Sequence, residues 1–227
     1  MTLPAIQDRP SPNHGPRRHG GPVDMLVLHY TGMESPDAAI ARLCDPSAEV
    51  SAHYFVQEDG TILRLVPESS RAWHAGLAYW RGVTDVNSHS VGIEIQNPGH
   101  EFGYRAFPEK QIAAVSALCR DILSRHPIPA SGVVGHSDIA PARKQDPGEL
   151  FPWRHLAENG IGVFPEIEMD TDRSLSDLLT EIGYDPDADN RIDAFQRRFR
   201  PGRIDGIEDA QCRGLAARYL SQIETKG

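Results

Sequence analysis

Cysteine is scarce in this chain. Cys44, Cys119 and Cys212 are the three in 227 residues, and no C-x-x-C pair occurs. A disulfide framework is excluded; at most one bridge could form, and the three suit buried small apolar positions in a reducing compartment. Long apolar runs are also missing. No stretch approaches the roughly 20 apolar residues of a membrane-spanning helix. The opening segment, MTLPAIQDRPSPNHGPRRHGG, holds no apolar stretch of the kind a secretory signal needs and no lipid-attachment cysteine. The sequence therefore points to the cytoplasm, with the periplasm as the alternative should export use another route. Basic charge is in short supply: 23 Lys and Arg stand against 32 Asp and Glu, a net charge of −9 with no basic stripe. A nucleic-acid partner is not expected from that balance. No H-E-x-x-H occurs, which removes the commonest helical zinc-peptidase site.

What is present concentrates in residues 133–153, VVGHSDIAPARKQDPGELFPW. His136, Asp138, Arg143, Lys144 and Asp146 share a segment broken by Pro141, Pro147 and Gly148. That density of Pro and Gly forbids a regular helix and predicts a shaped loop. A second imidazole, His29, ends the apolar run 25–29, which reads as a buried strand. In open α/β sheets, ligands gather beyond the carboxyl ends of strands. Singly, His29 reads as a buried strand-end histidine and Asp146 as the start of a turn before Pro147. Together, His29, His136 and Asp146 make a candidate site for one zinc ion per chain, since catalytic zinc takes three imidazole or carboxylate ligands and leaves a position open. The loop must double back over the ten residues between His136 and Asp146.

The rest of the chain reads as a mixed α/β domain followed by a helical tail. Residues 1–22, with five prolines, read as an irregular arm whose His14 and His19 are solvated. Ser35-Pro36 starts a helix that runs to about Cys44. Residues 51–56 and 61–66 flank Glu58-Asp59-Gly60 as a hairpin, with His53 mid-strand as a satisfied inward-facing histidine. Residues 71–79 form a loop in which Trp73 and His74 could wall a ligand; packing of Trp73 is the plain alternative. In strand 91–96, Val91, Ile93 and Ile95 face one way while Gly92, Glu94 and Gln96 face the other. Glu94 is thus a carboxylate within a buried strand. It must pair with a cation or carry a raised pKa, and a raised pKa suits a general base or acid. Residues 101–107 read as a loop, 108–126 as a long amphipathic helix, 132–135 as a strand, 153–159 as a short helix and 160–165 as a linker. The tail from 166 carries helical patterns at 175–182, 191–199 and 208–219, with Gly183 placed as a C-cap. Arg197, Arg198, Arg200 and Arg203 form its basic cluster, read as a solvated face, with contact to the carboxylates of wall peptides as the alternative.

The run G-H-S-D-I-A-P-A-R-K-Q-D-P-G, residues 135–148, resembles the signature of the zinc-dependent N-acetylmuramoyl-L-alanine amidases of the type 2 family. That family shares a superfamily with phage lysozyme-amidases and peptidoglycan recognition proteins. L-H-Y-T at 28–31, S-A-H-Y-F-V at 51–56, A-W-H-A-G at 72–76 and N-S-H-S-V-G-I-E at 87–94 resemble it too, in the family's order. The likeness spans about residues 23–153. It implies hydrolysis of the amide joining N-acetylmuramic acid, or its anhydro form, to L-alanine in peptidoglycan or muropeptides, in wall turnover or recycling. It implies Glu94 as the proton-transferring base and Lys144 as the group facing the oxyanion; the alternative for Lys144 is a surface lysine balancing Asp146. It further suggests Arg71, Trp73, His74 and Asn87 as substrate contacts. The pattern at 194–201 followed by Asp205-Gly206 resembles a small three-helix peptidoglycan-binding domain; the alternative is a generic helical cap packed on the amidase domain. The expected organisation is an arm at 1–22, an amidase domain at 23–160 and a helical domain at 166–227. A non-catalytic wall-recognition protein and a stem-peptide zinc peptidase are the rival functions.

Overall fold

The computed structural model describes residues 2–18 and 22–225, so the expectation for His19 lies outside the described residues. Its strands are β1 Ile6–Asp8, β2 His14–Pro16, β3 Met25–Tyr30, β4 Tyr54–Val56, β5 Ile62–Arg64, β6 Ser70–Ala72, β7 Ser90–Ile95 and β8 Val133–Gly135. Its α-helices are α1 Pro36–Cys44, α2 Val86–His89, α3 Gly99–Phe102, α4 Glu109–Arg125, α5 His136–Ile139, α6 Trp153–Glu158, α7 Leu175–Ile182, α8 Arg191–Phe199 and α9 Ala210–Glu224. Six strands form one mixed sheet in the order β1-β5-β4-β7-β3-β8. β4, β7, β3 and β8 run parallel; β5 is antiparallel to β4, and β1 is parallel to β5. This is the α/β fold with a central mixed sheet, flanking helices and a C-terminal helical trio that the sequence implies.

β3 shows why the sheet is covered on both faces. Its apolar run alternates between two cores: Leu26 and Leu28 pack with α4, whereas Met25 and Val27 pack with the C-terminal helices. In β7, Val91, Ile93 and Ile95 join the α4 side, so Gly92 and Glu94 project to the other face, the one His29 shares. α4 forms because Ile112, Val115, Leu118, Cys119 and Ile122 recur on one face and are all buried. In α1, the Ser35 hydroxyl accepts the Ala38 N–H at 3.2 Å and Pro36 occupies the first turn, as its sequence predicts. The three cysteines are free. Among the described residues, no helix is long and apolar enough to cross a membrane.

Several local expectations are corrected. The arm at 1–22 is not wholly irregular: β1 extends the main sheet and β2 pairs antiparallel with β6. Three-residue strands leave no room for an apolar alternation that a sequence reading could detect. Exposed His14 sits in β2. His53 falls just before β4, not within it, although its backbone N–H still donates to the Gly92 carbonyl at 3.0 Å. One helical turn, α3, interrupts the expected 101–107 loop, and another, α5, opens the segment after β8. The 160–165 stretch is not a free linker, because Ile161 and Val163 are buried.

The largest correction concerns Arg198, in α8, and Arg200, the residue that caps it. Arg198 and Arg200 are 4% and 7% exposed, not solvated. Arg198 bonds Asp138 at 2.6 Å and the Val133 carbonyl at 3.0 Å, and its guanidinium lies 4.1 Å from the Trp153 ring centroid. Arg200 pairs with Asp205 and Asp209. The apolar faces of α7, α8 and α9 close over the sheet: Leu178, Leu179, Phe195 and Tyr219 share one cluster with Val27, Trp80, Val134 and Ile139.

Candidate metal centre and active site

Three adjacent parallel strands assemble the site. His29 on β3 lies in register with Glu94 on β7, and Leu28 lies in register with Gly135, the residue before His136. The loop after α5 does double back, since the Ser137 N–H donates to the Asp146 carbonyl at 2.9 Å. A Cβ on Gly135 would fall 2.8 Å from Pro147 Cδ, so glycine is what lets the returning chain lie against the strand end.

His29 Nδ1 is 2.9 Å from His136 Nδ1 and 3.0 Å from Asp146 Oδ2, and His136 Nδ1 is 3.1 Å from the same oxygen. All three side chains are buried. His136 Nε2 lies 3.0 Å from the Ala75 carbonyl. A carbonyl can only accept, so Nε2 carries the proton and Nδ1 turns a lone pair toward the cluster. Imidazole nitrogens and a carboxylate oxygen, gathered with no apolar partner among them, are a donor set that fits a divalent cation such as zinc.

The electrostatics agree with that fit. Burial, reinforced by His136, lowers the His29 pKa to about 4, which leaves the ring neutral as ligation requires. Burial alone would raise the Asp146 carboxyl, but its contacts with the two imidazoles outweigh that and hold it well below the usual carboxylate range. Glu94 is driven the opposite way. Burial, and then the negative charge of Asp146, push its carboxyl well above the ordinary value, with Lys144 opposing. Its Oε2 is sealed from solvent and has no hydrogen-bond partner among the described residues.

A cleft of about 430 Å3 opens over this cluster, lined by Glu94, His136, Lys144 and Asp146 with Trp73, His74 and Arg143. The structure thus brings Glu94, Lys144, Trp73 and His74 to the same place as the three donor residues. It directs Arg71 and Asn87 elsewhere. Arg71 makes a two-pronged contact with Asp85 Oδ1 at 2.9 and 3.2 Å. Asn87 Oδ1 accepts the backbone N–H groups of His74 and Ala75 at 3.0 and 2.9 Å. His53 is satisfied, accepting the Gly92 N–H at Nδ1 and lying 3.1 Å from the Ser70 carbonyl at Nε2.

Sequence reasoning gave no role to Asp138, two residues from His136. Its carboxylate accepts from Gly135 N–H, Tyr184 hydroxyl and Arg198. A charged residue inside the 135–148 block was the available signal. Arg17, whose five N–H groups reach the Glu68, Asn87, Ser88 and Ser90 carbonyls, offers no such signal.

Comparison with known proteins agrees with this geometry. The pattern of the family described as N-acetylmuramoyl-L-alanine amidase matches residues 19–149. The N-acetylmuramoyl-L-alanine amidase AmiD of Escherichia coli (strain K12) is 39% identical, over 88% of this chain and 83% of that protein. The 1,6-anhydro-N-acetylmuramyl-L-alanine amidase AmpD of Salmonella typhimurium (strain SL1344) is 37% identical over 61% of this chain and 71% of its own length. A structure of E. coli AmiD in complex with the substrate anhydro-N-acetylmuramic acid-L-Ala-D-gamma-Glu-L-Lys superposes with a TM-score of 0.79 at 37% identity, covering 94% of this chain and 93% of that one. Pseudomonas aeruginosa AmpDh3 in complex with anhydromuramic pentapeptide superposes with a TM-score of 0.78 at 31% identity, covering 90% and 94%. The two parallel strand ends, the doubled-back loop and the shared pattern lead to one assignment: this chain belongs to the N-acetylmuramoyl-L-alanine amidase family.

Proposed function

We propose that this amidase hydrolyses the amide between N-acetylmuramic acid, or its anhydro form, and the L-alanine of a stem peptide, with one zinc ion held by His29, His136 and Asp146. The observation that carries the reading is the convergence of those three donor atoms beside a sealed, unpartnered Glu94 oxygen in one cleft. The chemistry a zinc ion supplies in such a site is polarisation of a carbonyl and acidification of water. Glu94, with its raised pKa, takes a proton from the attacking water and passes it to the leaving amine. Lys144, on the cleft wall, presents its ammonium to the oxyanion of the tetrahedral intermediate. Trp73 flanks the sugar-peptide ligand. The substrates bound to the AmiD and AmpDh3 relatives support a muropeptide as the ligand.

The division into an amidase unit at 23–160 and a helical unit at 166–227 belongs to the same proposal. The family match supports it, because it ends at residue 149, before the three C-terminal helices. Mass spectrometry of digested muropeptides tests the reaction. Free intact peptide plus sugar is the expected product; a shortened peptide would identify a peptidase, and no product a recognition protein.

A further inference from the structure

His74 touches a metal-ligand candidate from behind. Its Nδ1 lies 3.0 Å from His29 Nε2, and its Nε2 lies 3.0 Å from Ser90 Oγ. The Ser90 hydroxyl gives its single hydrogen to the Val86 carbonyl at 2.7 Å. The serine oxygen can then only accept, so His74 Nε2 donates to it. A neutral imidazole carries one N–H, which leaves His74 Nδ1 as an acceptor and makes His29 Nε2 the donor. The remaining nitrogen of His29, Nδ1, is then bare and faces His136 and Asp146. One backbone carbonyl thus dictates, through two side chains, which nitrogen of His29 is free to bind a cation.

We propose that His74 is a positioning residue that sets the tautomer and ring orientation of His29 for metal binding. This rests on the zinc reading given above. It replaces the substrate-contact role that the sequence suggested for His74 and Asn87. Asn87 fixes the backbone of the His74-Ala75 dipeptide. That dipeptide serves both imidazoles, the His74 ring bonding His29 and the Ala75 carbonyl accepting from His136. Gly92 makes room, because a Cβ there would come within 2.5 Å of the His74 ring.

Two measurements on the full chain test the proposal. In zinc-loaded, histidine-labelled protein, long-range 15N–1H correlation should show His29 and His74 each protonated at Nε2, with His29 Nδ1 free of hydrogen; a His29 proton on Nδ1 would overturn it. Zinc affinity measured against a chelating dye should fall about 10- to 100-fold in His74→Phe, the range for loss of a ligand's hydrogen-bond partner. His74→Gln, whose amide oxygen can still accept from His29, should recover part of the loss. Ser90→Ala, which deletes one buried oxygen, covers the case in which His74→Phe does not fold, and should weaken zinc in the same direction. Unchanged affinity in these variants would refute the positioning role. Failure of the wild-type protein to bind zinc would instead refute the metal reading beneath it.

Discussion

Arg198→Met is the sharpest perturbation the fold offers. The guanidinium and the Asp138 carboxylate are 2.6 Å apart with side chains only 3% and 1% exposed. Methionine matches the length of the stem but removes the charge. Asp138 would keep the Tyr184 hydroxyl at 2.7 Å and the Gly135 N–H at 2.8 Å but lose its guanidinium partner. Stranding one member of a buried ion pair costs about 3–5 kcal/mol. For a chain of this size each kcal/mol moves the melting temperature by roughly 2–4 °C, so a drop of ~6–20 °C is expected. Thermal unfolding followed by circular dichroism would read it. The double variant Arg198→Met, Asp138→Asn should recover part of the loss, because no charge is then left buried. Asp138 also tethers the turn that carries His136, so zinc affinity should fall alongside stability. A melting shift below about 3 °C, equivalent to some 1 kcal/mol, with unchanged zinc binding would refute the reading that the Arg198–Asp138 pair holds the turn carrying His136.

Further outcomes follow from the site. Glu94 holds its proton in the folded chain above the ordinary glutamate range, so folded protein binds more protons than unfolded across that window and stability falls as pH rises through it. Metal-free Glu94→Gln should therefore match the wild type near pH 4 and melt higher at pH 8, by roughly 3–5 °C for each unit of pKa elevation; equal melting at both pH values would count against the buried carboxylate. The same variant should lose most of kcat while retaining zinc, and loss of zinc would make Glu94 a ligand. His29→Ala and Asp146→Ala should each lower zinc stoichiometry, read by atomic emission after dialysis, and chelation should abolish turnover until zinc is returned. Lys144→Met should reduce kcat by about 100- to 1,000-fold with intact metal binding, the range for loss of one oxyanion donor; a wild-type kcat would return Lys144 to the surface role.

The parts of this molecule that sequence discloses are those whose cause is local. β3, β7 and α4 follow from apolar periodicity, and α1 from one Ser-Pro step. His29, His136, Asp146 and Glu94 stood out because ionisable side chains end or interrupt buried segments, and the fold gathers them. What stayed hidden depends on partners far along the chain. His74 reads as a ligand wall and does line the cleft, but its contact with His29, 45 residues away, has no trace in the sequence. Arg198 reads as solvated because nothing near it announces Asp138, 60 residues earlier. Asn87 and Arg17 spend their polar atoms on backbone carbonyls and N–H groups, and backbone carries no residue type for a pattern to register. β1 and β2 are strands by pairing alone.

Arg17 has a consequence that reaches beyond the arm it sits on. Its Nη2 donates to the carbonyl of Ser90, the same residue whose hydroxyl oxygen lies 3.0 Å from His74 Nε2. Its other hydrogens fasten the turn at Asn87 and Ser88 to Glu68, across β6. Lysine, with three hydrogens on one atom, could not span those acceptors. A proteolytic nick or a Lys at this position would leave every cleft-lining side chain chemically untouched. It would nonetheless slacken the support beneath His29, so that damage at the periphery would register first as weaker zinc binding at the proposed site.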